Sequence, residues 1–308
     1  MFRCFIFLLF PFVLFSQSGI DIKNFDYHRA DSIALHFPKK KYKTVSEVAK
    51  VLTQDLTTEH EKFRAIFRWI TDNIEYNKSA QNVADADKVV RKNKAVCQGF
   101  SNLLKEMCTV VNIPCESITG YTKTEVADIN RPLKKTDHAW NSVKLYDKWY
   151  LVDVTWATSK FNVINHKFMK EFDDYYYLTP PEKFILDHYP KEKKYQLLDK
   201  PVKKSAFIKA PVYYTDYLHM NMSDIEPNKG SFKWKQSKPL HLEVRSPIPL
   251  KEAGVLINTD KFITPVELKQ DAATGKYYFD YTFPLTGKTD LTVYFNGVCI
   301  VEYLINVK

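Results

Sequence analysis

Apolar residues change their spacing at Pro114: upstream they recur every three or four positions, and downstream they fall in short runs between turn residues. A 308-residue chain patterned this way is expected to keep its helices apart from an antiparallel sheet, an α+β arrangement. The stretch from Asp21 to Asn77 reads as helical, with one helix at about Val45 to Leu56. Thr58 and Glu61 form a capping box that opens another, in which Phe63, Ile66, Phe67, Ile70 and Ile74 make a single apolar stripe. Asp85 to Asn93 is a short, polar helix. The following segment, from Ala95 to Cys108, puts Phe100, Leu103, Leu104, Met107 and Val111 on one face and must end before Pro114. Cys97 therefore sits in the first turn of an amphipathic helix.

After Pro114 the predicted strands are Cys115 to Tyr121, His138 to Leu145, Trp149 to Thr155 and Tyr175 to Leu178, with a polar loop at Lys123 to Thr136. Residues Tyr189 to Pro201 are charged and contain proline, and read as a linker. Beyond them lie His241 to Val244, Val255 to Ile257, Val266 to Leu268 and Tyr277 to Phe283, then Leu291 to Phe295 and Val298 to Ile305 flanking Asn296-Gly297, the strongest hairpin signal in the chain. Short strands at this spacing predict a β-sandwich. The expected organisation is residues 1–18 as a leader, 19–198 as an α+β domain with N-terminal helices, and 199–308 as a β-rich domain.

The leader expectation rests on Arg3, the apolar run from Cys4 to Phe15, and Ser16-Gln17-Ser18, the layout of a secretory signal peptide. The run is shorter than the roughly 20 residues a bilayer helix needs, so an exported protein, periplasmic or extracellular, without an integral membrane segment is expected. The formal charge of +9 is spread over short groups such as Lys39-Lys40-Lys41, Lys134-Lys135 and Lys203-Lys204. No nucleic-acid module accompanies them, so they read as a solvated basic surface.

Leader removal would leave Cys97, Cys108, Cys115 and Cys299, too few for a disulfide framework in a chain this long. Cys97 and Cys108 are about three helical turns apart, roughly 16 Å along the axis, and cannot be bridged. Cys108 and Cys115 are expected as buried free thiols, and Cys299 as a core residue of the terminal domain. No CxxC pair and no histidine spacing suggest a metal site, and no cofactor is expected.

A cysteine at a helix N-terminus is chemically distinctive. Unpaired N–H groups and the helix dipole stabilise its thiolate, and the same groups can stabilise an oxyanion. Gly99, just inside the helix, would let another backbone approach closely. His138 and Asp153 lie on two strands joined near Tyr146-Asp147. If Leu145 faces Lys148, His138 pairs with Thr155 and Asp153 is its diagonal neighbour; if Lys144 faces Asp147, His138 pairs with Asp153 directly. Either register puts imidazole and carboxylate on one face, with Cβ atoms about 5–8 Å apart. A helix bearing Cys97 and packed across that face would complete a thiol, imidazole and carboxylate set. Asp153 also lies among Trp149, Val152, Val154 and Trp156, and a carboxylate in so apolar a stretch needs a partner.

Cys97-Gln98-Gly99-Phe100, His138-Ala139-Trp140-Asn141 and Asp153-Val154-Thr155-Trp156 resemble, in order and spacing, the three signature blocks of the transglutaminase-like superfamily. Phe67-Arg68-Trp69-Ile70 running into Ile74-Glu75-Tyr76 is similar too. Tyr189-Pro190 and Gln196-Leu197-Leu198, followed by the β region, resemble the kyphoscoliosis peptidase branch. The resemblance implies a papain-like core followed by an immunoglobulin-like β-sandwich. It also implies catalysis by Cys97 as nucleophile, His138 as base and then acid, and Asp153 as orienter of the imidazole, with acyl transfer through a thioester. Gln98 and Tyr76 are candidates for the second oxyanion donor, and Trp140, on the His138 face, for a residue shielding the cleft. No acidic calcium loop is visible.

Asn141 faces away from His138 and is read as structural; Trp156 is expected under the hairpin. His166 and His188 fall in predicted loops and carry no chemistry. Ser159 to Lys170 reads as a surface loop that could border the cleft. The expected function is an acyl transfer on protein or peptide amides, hydrolysis ahead of crosslinking. The rival readings are a catalytically silent scaffold whose β domain recruits a protein partner, and an envelope-assembly factor that recognises peptidoglycan peptides.

Overall fold

The computed structural model describes residues 22, 25–162, 167–258, 260 and 262–308. The leader segment 1–18 and His166 lie outside them. The first elements are helices: α1 (His28–Leu35), α2 (Val45–Thr53), α3 (Glu59–Asn73), α4 (Ala86–Lys92) and α5 (Cys97–Val110). The capping box forms as its residues require, Thr58 accepting from the Glu61 N–H while Glu61 reaches back to Thr58. A second box, Thr44 with Glu47, opens α2. Asp85 caps α4, and Asn93, at positive φ, ends it.

Four strands, β1 (Cys115–Thr122), β2 (His138–Leu145), β3 (Lys148–Val152) and β4 (His188–Pro190), form an antiparallel sheet in the order β3-β2-β1-β4. Leu145 pairs with Lys148 across a turn in which Tyr146 and Asp147 both have positive φ. That is the first of the two registers allowed by the sequence. Helix α5 lies on one face of this sheet. One apolar core, which includes Phe63, Phe67, Phe100, Leu103, Met107 and Val143, fills the space between helices and sheet. Helices packed on an antiparallel sheet make this an α+β core.

Four expectations need correcting. The third strand stops at Val152, because Asp153 turns its N–H to the Tyr176 carbonyl and starts a helical turn at Trp156–Thr158. Tyr175 to Leu178 is a single 3₁₀ turn (Asp174–Tyr176), not a strand, and Leu178 has positive φ. Tyr189 to Pro201 is not a loose linker: His188–Pro190 completes the sheet as β4, and buried Gln196 bonds both the N–H and the C=O of Val202. Ser159–Asn162 and Lys167–Lys170 pair as a hairpin rather than a plain loop.

The C-terminal part is a two-sheet sandwich with a separate apolar core. Its strands are β5 (Ser223–Glu226), β6 (Ser231–Trp234), β7 (Leu240–Arg245), β8 (Ala253–Ile257), β9 (Thr264–Val266), β10 (Lys269–Gln270), β11 (Tyr277–Tyr281), β12 (Gly287–Phe295) and β13 (Val298–Val307). One sheet runs β5-β7-β11-β10 and the other β6-β13-β12-β8-β9, with the two-residue strand Val212–Tyr213 pairing antiparallel to β13 as a sixth member. Asn296-Gly297 makes the β12–β13 turn, both residues at positive φ. All pairs are antiparallel except β6 with β13, which is parallel. Lys123, 2% exposed, reaches across from the α+β part and donates to the Ala210 and Phe207 carbonyls at the end of the short helix Lys204–Lys209.

Candidate active site

Helix α5 begins at Cys97 itself, with Val96 as its cap. Gly99 is what permits this start: a Cβ there would lie 2.4 Å from the Val83 carbonyl oxygen and 2.7 Å from Ala95 Cβ. The half-buried Cys97 thiol hydrogen-bonds to the His138 side chain and accepts from the Ala139 N–H at the head of β2. His138 Nε2 lies 2.6 Å from Asp153 Oδ2. Cys97, His138 and Asp153 are thus brought together as one hydrogen-bonded chain.

The helix does not lie across the His138 face, as the hairpin argument expected. Asn141, on the other face of β2, donates to the Ser101 carbonyl of α5, and Ser101 and Ser117 hydroxyls meet at 2.6 Å. Helix α5 covers that side, and Cys97 meets His138 at the strand's end, where the ring can come round to the sulfur. Asn141, fully buried, is a tie between helix and sheet.

Asp153 is 0% exposed, and its carboxylate is saturated. Oδ1 accepts from the Thr155 and Trp156 N–H groups at 2.8 and 3.0 Å, so the carboxylate caps its own helical turn. Oδ2 faces two imidazoles, His138 at 2.6 Å and His188 at 3.0 Å. Burial opposes ionisation here, but the charge of His138, then that of His188, outweighs it and holds the carboxyl well below the usual range. Burial likewise opposes charging His138, and the Asp153 carboxylate and the Cys97 bond overcome it, raising the imidazole to about 10. For Cys97, burial raises the thiol pKa, and the bond to His138 with its charge more than reverses this, for a net lowering. A lowered thiol beside a raised imidazole favours the thiolate–imidazolium pair at neutral pH.

The remaining candidates separate. Gln98 Nε2 donates to Asn102 Oδ1 at 2.8 Å and reaches Ser117 Oγ at 3.4 Å, so its side-chain amide links the helix to the sheet. Helical spacing explains this, since Asn102 is four residues on. Half-buried Tyr76 remains a candidate, because burial and then the nearby Cys97 charge raise its phenol. Trp140 is 1% exposed and packs 6.0 Å from His138, 5.9 Å from Phe184 and 5.1 Å from His188, which makes it a floor beneath the ring instead of a cleft wall. Trp156, expected under the hairpin, stands 5.5 Å from His138 and 4.3 Å from His188.

His188 and Asp187 were missed by sequence reasoning. His188 is fully buried, with Nδ1 2.6 Å from Asp187 Oδ1. The available signal was Tyr189-Pro190 next to it, read only as part of a resemblance. His138, Asp153 and His188 each bring one possible ligand atom within 4.8 Å of the others. These atoms already bond one another at 2.6 and 3.0 Å, which is a hydrogen-bond chain with no gap for an ion. Cys108, Cys115 and Cys299 are free thiols. Burial, then Cys115, pushes the Cys108 thiol well above its ordinary value, and burial raises Cys299 too.

These features define a transglutaminase-like core, and residues 46–154 match the model of the transglutaminase-like superfamily. Kyphoscoliosis peptidase of Mus musculus is 30% identical to the chain over 210 residues, 66% of this chain and 32% of that protein. Hillarin of Drosophila melanogaster is 25% identical over 313 residues, 91% of this chain and 38% of that protein. The chain spans about a third of the length of these curated relatives.

Proposed function

We propose that the protein is an exported cysteine-dependent acyl-transfer enzyme acting on protein or peptide amides. One observation carries the reading: a thiol at the first position of a helix hydrogen-bonded to an imidazole whose other nitrogen is held by a buried carboxylate. The Cys97 thiolate attacks the amide carbonyl, forming a C–S bond, and the oxyanion forms near the α5 N-terminus. His138 gives its proton to the departing amine as the C–N bond breaks, leaving a thioester on Cys97. Water or a second amine then adds to the thioester carbonyl, His138 takes the proton from this nucleophile, and the C–S bond breaks to regenerate the thiolate. Water gives hydrolysis, which we place first; an amine gives a crosslink. Asp153 keeps the ring oriented throughout and stabilises its charge.

The test incubates the protein with glutamine-containing peptides and a fluorescent primary amine, followed by intact-mass analysis. Expected are free acid or cleaved peptide, a smaller amine-coupled product, and loss of both in Cys97→Ala. Absence of every product, together with Cys97 alkylation no faster than that of free cysteine, would replace this reading with a silent binding protein.

A further inference from the structure

We infer that His188 is a permanently charged, buried imidazolium clamped between Asp187 and Asp153, and that it acts as a positioning residue for the Cys97 centre. The inference rests on the proposed reading of that centre. Both ring nitrogens face carboxylate oxygens, Nδ1 to Asp187 at 2.6 Å and Nε2 to Asp153 at 3.0 Å. A neutral imidazole has one donor and one acceptor, and an ionised carboxylate only accepts. Both contacts are satisfied together only when both nitrogens carry protons. A protonated Asp153 conflicts with its partners, since Oδ1 already receives two backbone N–H groups and Oδ2 the His138 ring; a protonated Asp187 would leave Nδ1 of His188 without a proton, the outcome that overturns the inference.

The surroundings suit a cation kept from water. His188 is 0% exposed. The Phe184 ring stacks on it at 4.2 Å, and Trp156 lies at 4.3 Å, so two π faces add to the two carboxylates. The ionisable groups around it are Asp187 beside it, Asp153 after β3, His138 on β2 with ring centres 5.5 Å apart, and Tyr176 at 6.1 Å on the 3₁₀ turn. Along the line from Asp187 through His188, Asp153 and His138 to Cys97 the charges alternate.

Two consequences follow. Because His188 shares Oδ2 with His138, it fixes where that oxygen points. Its positive charge also offsets the Asp153 carboxylate, which otherwise disfavours a thiolate on Cys97. Replacing His188 by Gln keeps a donor toward Asp153 and removes the charge. The region then becomes more negative, so protons leave Cys97 and His138 less readily.

The experiment uses the full chain. In ring-¹⁵N histidine-labelled wild type, one slowly exchanging imidazole is expected to show protons on both nitrogens from pH 6 to 9, with its signals absent in His188→Gln. With the His188 and His138 rings assigned by through-bond correlation to their own backbones in the wild type, an unprotonated ring nitrogen on His188 at pH 7 overturns the inference whether or not the variant folds. In His188→Gln the midpoint of Cys97 alkylation against pH should move up by about one unit. An unmoved midpoint overturns the positioning role. Should wild-type Cys97 already titrate like free cysteine, the catalytic reading fails separately, while the nitrogen spectrum still decides the charge on His188.

Discussion

The Val83 carbonyl oxygen lies 2.4 Å from where a side chain on Gly99 would begin, so the helix that starts at Cys97 is pressed against the chain leading into α4. Ala95 Cβ is 2.7 Å from the same point. Backbone cannot swing aside as a flexible side chain can. Gly99→Ala should therefore cost about 2 kcal/mol through overpacking and displace the first turn of α5. Urea unfolding measures the cost, and iodoacetamide labelling of Cys97 should slow severalfold. Full stability with unchanged labelling would mean that this contact is loose.

The thiol and imidazole shifts set a pH profile. Labelling of Cys97 should rise through a midpoint below the ordinary cysteine value of about 8.5. His138→Ala removes the bond and the positive charge but leaves the Asp153 carboxylate, so its midpoint should lie above 8.5. Rates of alkylation between pH 5 and 10 decide this; coincident profiles for the two proteins would refute it.

His138 also makes stability depend on pH. Its folded value of about 10 exceeds the ordinary value of 6.5. The stabilisation it supplies is therefore complete below about pH 6.5 and is lost as pH rises through 10. The difference in unfolding free energy between wild type and His138→Ala, measured by urea titration, should be greatest near pH 6, on the order of 3 kcal/mol, and should shrink toward pH 10. A difference that stays level across this range would show that the ring is uncharged in the native protein.

Arg64 is 4% exposed on α3 and bonds both oxygens of Asp31 on α1, at 2.6 and 2.8 Å, as well as Asp174 in the 3₁₀ turn. Its guanidinium lies over Tyr27 and Tyr177 at 5.0 and 4.6 Å. Arg64→Lys keeps the charge but loses the planar fork and should destabilise by about 2 kcal/mol, discounted because Asp174 is mostly exposed. Arg64→Met should cost more. Calorimetry at neutral pH ranks the three proteins, and equal melting temperatures would rule out the tie.

Helix spacing, capping residues and the Asn296-Gly297 turn were legible because each works locally. The pair His138 and Asp153 was legible as well, since a hairpin with a short turn leaves few registers. What escaped was contact made across long separations. His188 reaches Asp153 from 35 residues downstream, and nothing in Leu186-Asp187-His188 distinguishes a buried strand from a loop. The face of β2 that α5 covers depends on Asn141 meeting Ser101, 40 residues away. Gln98 shows the opposite case: a neighbour one helical turn along, Asn102, occupies its side-chain amide.

The Asp153 carboxylate has partners on both sides of residue 154, where the family match ends. Trp156 supplies an amide, Tyr176 receives the Asp153 N–H, and His188 closes on the far oxygen. A fragment trimmed to the matched boundary would keep sulfur, imidazole and carboxylate yet forfeit the walls that keep that carboxylate dry. Expression of a minimal unit should accordingly run at least through Val202, whose amide and carbonyl anchor Gln196.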